Sequence, residues 1–522
     1  MRAASAGELR LATPAGRWVL AAAVLGSTLA AVDSTVVGIA LPAMGRSFSI
    51  PVAGLQWVVS AYLLALAGFL LVGGALGDRY GRRRVFVVGV VWFAASSLLC
   101  ALAPDATVLV CARALQGVGG ALLTPGSLAI LQASFAEDDR GRAIGAWSGL
   151  GGVGTAAGPL VGGVLIGAVS WRAVFLINLP LAAAVVPVAL RHVPESHDPG
   201  AEGRVDLVGA LLVTAGLVGL IAALIEAPGA GWGSGAVVGG LLAALVIFAA
   251  FVVRERRAAH PVLPLSIFRS RQFSATNAVT FVVYAALGGA LFLLPVQLEV
   301  VARYSALEAG VSLLPLTALM LALSARSGAL AARIGPRRQM AVGPVVVGAG
   351  MVLLRLVGPS GDYLTEVLPG VLVLGLGLVI TVAPLTATAL SSAPVEHAGT
   401  ASAVNNDVAR TGSLIAVAVL PVAAGIAGRD FLHPAVLSEG FGRAVFIAGV
   451  AAAAGGALAA LFVRDPVRAT APRTPAPRTA APPRRAGRAL SCPLEATPLC
   501  AEPAAGPVGP QRPAATRPSA SS

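Results

Sequence analysis

Long apolar runs alternate with short polar connections along nearly the whole chain. Fourteen of them can be marked out, near 18–40, 55–76, 85–103, 108–130, 143–168, 173–190, 205–226, 236–253, 275–298, 309–331, 340–357, 365–390, 403–427 and 444–463. Each holds close to the ~20 residues that cross a bilayer as a helix. The runs are too long for the strands of a membrane barrel, so the pattern predicts an all-α polytopic membrane protein with fourteen transmembrane helices. The first run is too long for a cleaved signal peptide, and the following runs need it to set their phase. After the last run the pattern stops. Residues 464–522 are rich in Pro, Ala, Arg and Ser, with no periodicity, and are expected to form a disordered tail.

Composition agrees with this reading. Of 522 residues, 57% are hydrophobic and only 12% charged, with a mean hydropathy of +0.84. A soluble domain carries about 25% charge. A soluble enzyme, a disordered chain, a collagen and a nucleic-acid-binding domain are thereby excluded as descriptions of the whole. The formal charge of +13 comes from 37 basic residues, all of them arginine. They cluster in alternate connections. With the N-terminus inside, 29 fall in cytoplasmic segments and five (Arg46, Arg172, Arg303, Arg429, Arg443) in outer loops. This bias places both termini in the cytoplasm, as an even number of spans requires. The four cysteines (Cys100, Cys111, Cys492, Cys500) show no metal-ligand spacing. Cys100 and Cys111 read as two packed small residues rather than a bridge.

Two loops repeat. Arg79-Tyr-Gly-Arg-Arg-Arg84 follows the second run and Arg333-Ile-Gly-Pro-Arg-Arg338 the tenth. The same turn in the same place predicts two six-helix halves of like topology, a known transporter device. The expected organisation is a cytoplasmic N-terminus (1–17), an N-terminal six-helix bundle (18–190), two inserted transmembrane helices (205–253), a C-terminal six-helix bundle (275–463) and the tail (464–522).

Charges inside apolar runs are the candidate chemistry, because each is costly at the bilayer centre. Asp33 lies about 22 Å into the first run at 1.5 Å per residue, beyond the reach of snorkelling. It is either the first candidate for binding a proton or a cationic group, or a carboxylate permanently paired with a buried Arg. Arg113, followed by Gln116, Gly117 and Gly119, sits near the outer end of the fourth run; it either bridges to another helix or snorkels outward. The fifth run is glycine-rich, with Gly154, Gly158, Pro159, Gly162 and Gly163 offering a smooth face and a kink. In the turn Gly77, Asp78, Arg79, Tyr80, Gly81, Arg82, Arg83 and Arg84, the glycines suit a tight bend and Asp78 is placed to cap a neighbouring helix. Asn405, Asn406, Asp407 and Arg410 form a polar patch in the thirteenth run, either a gate or an internally satisfied network, with Asp407 and Arg410 sharing a face. Glu226 reads as interfacial. No hydrolase triad, metalloprotease motif, nucleotide loop or dinucleotide fingerprint stands out. Catalysis, ATP hydrolysis, a bound metal and a cofactor are not expected.

Taken together, these motifs resemble the major facilitator superfamily, and within it the fourteen-span drug:proton antiporter branch, over about residues 15–465. The run Asp33-Ser-Thr-Val-Val-Gly38-Ile-Ala-Leu-Pro42 is similar to that branch's first-helix motif, with Gly38 where the family commonly has Asn. Gly77 to Arg84 looks like the superfamily's loop between helices two and three, which implies a conformational latch. Arg113, Gln116, Gly117 and Gly119 match the fourth-helix motif, which implies a part in proton coupling. Gly154, Gly158, Pro159, Gly162 and Gly163 match the fifth-helix antiporter motif. Trp171-Arg172 with Asn178-Leu-Pro180, and Ala398 to Asn406 with Arg410, are further family-like runs.

The resemblance implies a major facilitator fold, and proton-coupled efflux of small amphipathic drugs, antibiotics or metabolites across a bacterial inner membrane. Protons, the substrate and the lipid bilayer are the implied partners; no nucleic acid and no cofactor is. Two alternatives stand beside it. An importer on the same fold would be favoured by a missing antiporter motif, which is present here. A non-transporting sensor or assembly partner would be favoured by long loops or a soluble domain, which the chain lacks outside its tail.

Overall fold

A computed structural model describes residues 9–197, 206–258, 263, 265–392, 398–428, 430 and 433–465. The tail beyond residue 465 and the candidate charges Arg204 and Arg429 lie outside the described residues. Fourteen long helices follow one another. They are α1 (Pro14–Phe48), α2 (Val52–Tyr80), α3 (Arg82–Leu102), α4 (Ala106–Ser134), α5 (Glu137–Ala168), α6 (Ala173–His192) and α7 (Leu207–Ala230). Next come α8 (Gly235–Arg257), α9 (Arg271–Val300), α10 (Ala306–Ile334), α11 (Pro336–Leu356), α12 (Tyr363–Ser391), α13 (Ala398–Ala423) and α14 (Pro434–Phe462). Thirteen are both long and apolar enough to cross a bilayer. The fourteenth, α13, has the length, at 26 residues, and owes its lower apolarity to the polar patch around Asp407. Among the described residues the only β pairing is a single bridge, Leu9 to Phe135.

Several helices depart from the apolar runs, for local reasons. Helix α1 starts four residues early because the Thr13 hydroxyl accepts from the Gly16 amide at 3.1 Å and Pro14 is preset for a first turn. Helix α5 starts at Glu137 because three acidic residues, Glu137, Asp138 and Asp139, suit the positive end of a helix. Helix α13 ends at Ala423, four residues before the apolar run does.

The loop repeat proves deeper than the two basic turns. Gly81 (φ +110°) separates α2 from α3, and Gly335 (φ +89°) separates α10 from α11. Three residues past the end of α6, Glu195 accepts from the Arg83 amide at 3.0 Å, while Arg83 Nη1 donates to the Val193 carbonyl at 3.1 Å. Three residues past the end of α14, Asp465 accepts from the Arg337 amide at 2.9 Å, while Arg337 Nε donates to the Ala460 carbonyl at 3.0 Å. In both halves a carboxylate leaving the sixth helix therefore caps the third. It lies where a Cβ on the turn glycine would sit, so the positive φ and the lack of a side chain are both required.

The largest core joins the two halves, packing Val37, Leu41 and Met44 of α1 with Leu287, Leu294 and Leu298 of α9. A second core lies within the first half. Inserted helix α7 fills the seam between α2 and α13, where Leu64, Leu217, Ile221, Leu414 and Ala418 cluster. Trp57 Nε1 donates to Glu226 at 3.2 Å on the same seam.

Cross-half contacts concentrate at the end away from the termini. Arg46 pairs with Glu299 at 3.2 Å. The Val52 amide donates to the Gly428 carbonyl at 2.9 Å, and Gln56 Nε2 to the Val417 carbonyl at 2.6 Å. Along the opposite seam, Gly163 of α5 abuts Ala306 and Leu307, and Gly310 of α10 abuts Pro159. Toward the termini these contacts run out, and a Cβ at Gly141, Gly145 or Gly149 would meet nothing within 4 Å.

Candidate functional site

Asp33 is wholly buried midway along α1. Its Oδ2 accepts from Arg113 Nη1 at 2.6 Å. Its Oδ1 accepts from Gln116 Nε2 at 2.8 Å and from Asn178 Nδ2 at 3.0 Å. Ser97 Oγ accepts from the same two amides, at 2.7 Å from Gln116 and 3.1 Å from Asn178. Arg113 is 1% exposed. It donates to Gln116 Oε1 at 2.5 Å and to the Val58 carbonyl at 3.3 Å, and its guanidinium stacks 4.2 Å from the Tyr62 ring. Five helices, α1, α2, α3, α4 and α6, thus converge on one carboxylate. Arg113 does not snorkel outward, because a buried counter-charge lies within its reach and its other polar atoms find carbonyls.

The glycines explain how α4 comes so near. A Cβ at Gly117 would press on the Tyr62 carbonyl, and one at Gly119 would come within 2.7 Å of the Phe93 amide. Without these side chains α4 sits directly on α2 and α3, which brings the guanidinium over Tyr62 and onto Asp33. Helix α5 uses the same device. Gly154, Gly158 and Gly162, four residues apart, face Thr28, Thr35 and Val36 of α1, while Gly163 and Pro159 face α10. The antiporter-like glycines therefore clamp α5 beside Asp33 and against the second half at once. A Cβ at Gly38 would meet nothing within 4 Å, so no contact replaces the usual Asn.

The turn residues assemble separately. Asp78 does not cap a helix; it pairs with Arg82 one turn on, at 2.8 Å. Glu195 takes the capping role and also pairs with Arg83 and Arg84 at 3.4 and 3.6 Å. Arg79 lies over the Tyr80 ring at 5.5 Å, and Gly77 and Gly81 bracket the bend. The α13 patch divides in two. Asn405 donates to Asn277 Oδ1 at 3.1 Å and Thr280 Oγ1 at 2.9 Å on α9, and Asn406 donates back to the Ser402 carbonyl at 2.9 Å. Asp407 and Arg410 lie on another face and do not join that network. Of the two described cysteines, Cys100 is buried, with its Sγ 3.7 Å from Gln116 Oε1, and Cys111 is exposed; both are free. As expected they form no bridge, and Cys100 is packed, but Cys111 is not, because α4 turns it outward.

Two members of the site, Ser97 and Tyr62, do not emerge from sequence reasoning, and a third, Asn178, emerges only within a family-like run. Asn178 carries a signal, as a lone amide in an apolar run. Ser97 and Tyr62 carry none, since a serine or tyrosine in a membrane helix commonly bonds its own backbone or packs.

Three donors hold the carboxylate and none of it is exposed, so a proton or a cationic group reaches Asp33 only when the shell around it opens. A displaced Arg113 is then left with Gln116, the Val58 carbonyl and the Tyr62 ring.

Residues 23–418 match the sequence model described as Major Facilitator Superfamily. The tetracenomycin C resistance and export protein of Streptomyces glaucescens is 37% identical over 404 residues, covering 77% of this chain and 75% of that protein. The methylenomycin A resistance protein of Bacillus subtilis is 36% identical over 407 residues, covering 77% and 86%. Among solved structures, the POT family transporter PepTSo superposes with a TM-score of 0.64 at 16% identity, over 85% of this chain and 97% of that one. This last likeness is one of fold.

Proposed function

We propose that this chain, which belongs to the Major Facilitator Superfamily, exports small amphipathic drugs, antibiotics or metabolites across a bacterial inner membrane in exchange for protons. The named resistance and export relatives support the direction, and the glycine face of α5 supports the antiport reading. The observation that carries it is Asp33, buried mid-helix in a shell of three donors that includes Arg113. In this reading Asp33 takes up a proton or a cationic group when Arg113 lets go. Asp78, Arg82 and Glu195 brace the turn of the first half as it rocks, and α5 pivots at Pro159. The protein is a transporter and not an enzyme; the proton gradient is its energy source and it uses no cofactor. A potential of ~150 mV supplies about 3.5 kcal/mol per proton, enough for a gradient of a few hundred-fold.

The arginine bias supports placing the termini in the cytoplasm. The contacts at the far end then describe a state closed to the outside, with the α5–α10 seam parting toward the cytoplasm.

Efflux of dyes and antibiotics from an efflux-deficient bacterial host tests this. Wild type should clear the compounds faster than the empty host. The gain should vanish with Asp33→Asn and with a protonophore. Efflux that survives both treatments would refute proton coupling through Asp33, and energy-dependent accumulation inside the cell would refute export.

A further inference from the structure

Asp407 and Arg410 are opposite charges one turn apart on α13, yet they form no ion pair with each other or with any described residue. Asp407 Oδ1 and Arg410 Nε are both buried without a hydrogen-bond partner. Neither residue as a whole is fully buried. Their direction follows from helix geometry. Asn405, Gly412 and Ser413 face α9, through the bonds to Asn277 and Thr280, the approach to the Phe281 carbonyl, and a 3.0 Å bond from Ser413 Oγ to the Tyr284 carbonyl. Asp407 stands two turns before Leu414 and Arg410 one turn before it. Leu414 and Ala418 pack against Leu64 of α2 and Leu217 and Ile221 of α7. The charged pair therefore continues the α2–α7–α13 seam toward the termini, where the apolar cluster ends.

Unpartnered charges at membrane depth are expensive, and two of opposite sign on one face have complementary demands. Asp407 needs a donor and Arg410 an acceptor. A cation on Asp407 would be repelled by Arg410, and an anion on Arg410 by Asp407. A neutral molecule that offers a donor beside an acceptor on one edge satisfies both.

We propose that Asp407 and Arg410 are the polar anchor for transported substrate, and that they select neutral amphipathic compounds with a donor–acceptor edge such as a carboxamide. Asp407 accepts from the amide N–H and Arg410 donates to the carbonyl. The inference rests on the export reading for its role in transport, but binding itself requires no gradient.

The test is equilibrium binding of naphthalene-1-carboxamide and its N,N-dimethyl derivative to the full chain in lipid nanodiscs. The dimethyl compound keeps the acceptor and loses the donor. A hydrogen bond to a charged group predicts that wild type binds the primary amide at least about tenfold more tightly. The double variant Asp407→Leu/Arg410→Met removes both charges together and should reduce that ratio to near one. Should the double variant not fold, the near-isosteric Asp407→Asn must still lower the ratio. A wild-type ratio near one, or a ratio unchanged in the variants because water alone satisfies the pair, would overturn the proposal. Asp33-dependent efflux with no amide preference would overturn this inference and leave the export reading intact. An amide preference that responds to the variants in a protein that moves nothing would do the reverse.

Discussion

Removing the charge of Asp33 should destabilise the protein as well as stop transport. The pair it forms with Arg113 is 2.6 Å long, with side chains 0% and 2% exposed. In Asp33→Asn, the amide oxygen would stay with the donors Gln116 and Asn178, which turns the new NH2 group toward Arg113, donor against donor. The guanidinium then keeps Gln116, the Val58 carbonyl and the Tyr62 ring but loses its one counter-ion among the described residues. Breaking one side of a buried pair costs about 3–5 kcal/mol. Arg113→Gln should cost a similar amount by stranding the carboxylate. The double variant Asp33→Asn/Arg113→Gln removes both charges, and two neutral amides can bond each other. Its loss should therefore fall at least about 2 kcal/mol short of the sum of the single losses. Reversible unfolding of the four proteins in mixed micelles measures this coupling, and efflux should be absent in all three variants. Single variants as stable as wild type, or losses that simply add, would show that the pair is not held as described and would refute the reasoning.

Three further outcomes follow from the geometry. Gly81→Ala and Gly335→Ala each force a side chain onto a positive φ and into a capping carboxylate, so each should lower unfolding stability by about 1–3 kcal/mol; a neutral result at either would refute the paired-cap description. Glu195→Gln weakens two partly exposed ion pairs but keeps an acceptor for the Arg83 amide, so stability should drop by no more than about 1 kcal/mol, read by the same unfolding assay, and a larger loss would show that the charge rather than the cap is what matters. Gly158→Val puts branched bulk against Thr35 of α1 and should abolish efflux with normal membrane insertion, whereas wild-type efflux would show that α5 does not need close approach beside Asp33.

How much of the site is legible in the sequence depends on what each residue needs. Asp33, Arg113 and Gln116 stand out because a charge or amide inside an apolar run demands an explanation wherever it ends up. The glycines of α5 stand out for the same reason in reverse, since so much lost helix propensity has to be offset by packing. Asn178 is visible only as one amide among many apolar neighbours, and Ser97 and Tyr62 not at all. The latch is half legible: Gly81 and Gly335 mark the turns, but Asp78 attracts the capping role because it is adjacent in sequence. Glu195 holds that role instead from more than a hundred residues away, and nothing local distinguishes it from any other loop carboxylate.

Hydrophobic run length, the phase of the arginines and the repeated basic turn are local or periodic properties. They are enough to require that the chain cross a membrane about fourteen times in two like halves, because backbone in lipid must close its own hydrogen bonds and leaves little choice of element. Which polar side chains meet is a matter of packing between distant helices. Asp33 finds Arg113 across eighty positions and Asn178 across 145, because glycine faces let α4 and α5 approach their neighbours more closely than side chains would allow. Packing also leaves Asn405 satisfied by α9 while Asp407 and Arg410, two and five positions on, are not. One turn of a helix separates those outcomes, and only the neighbours packed on each face distinguish them.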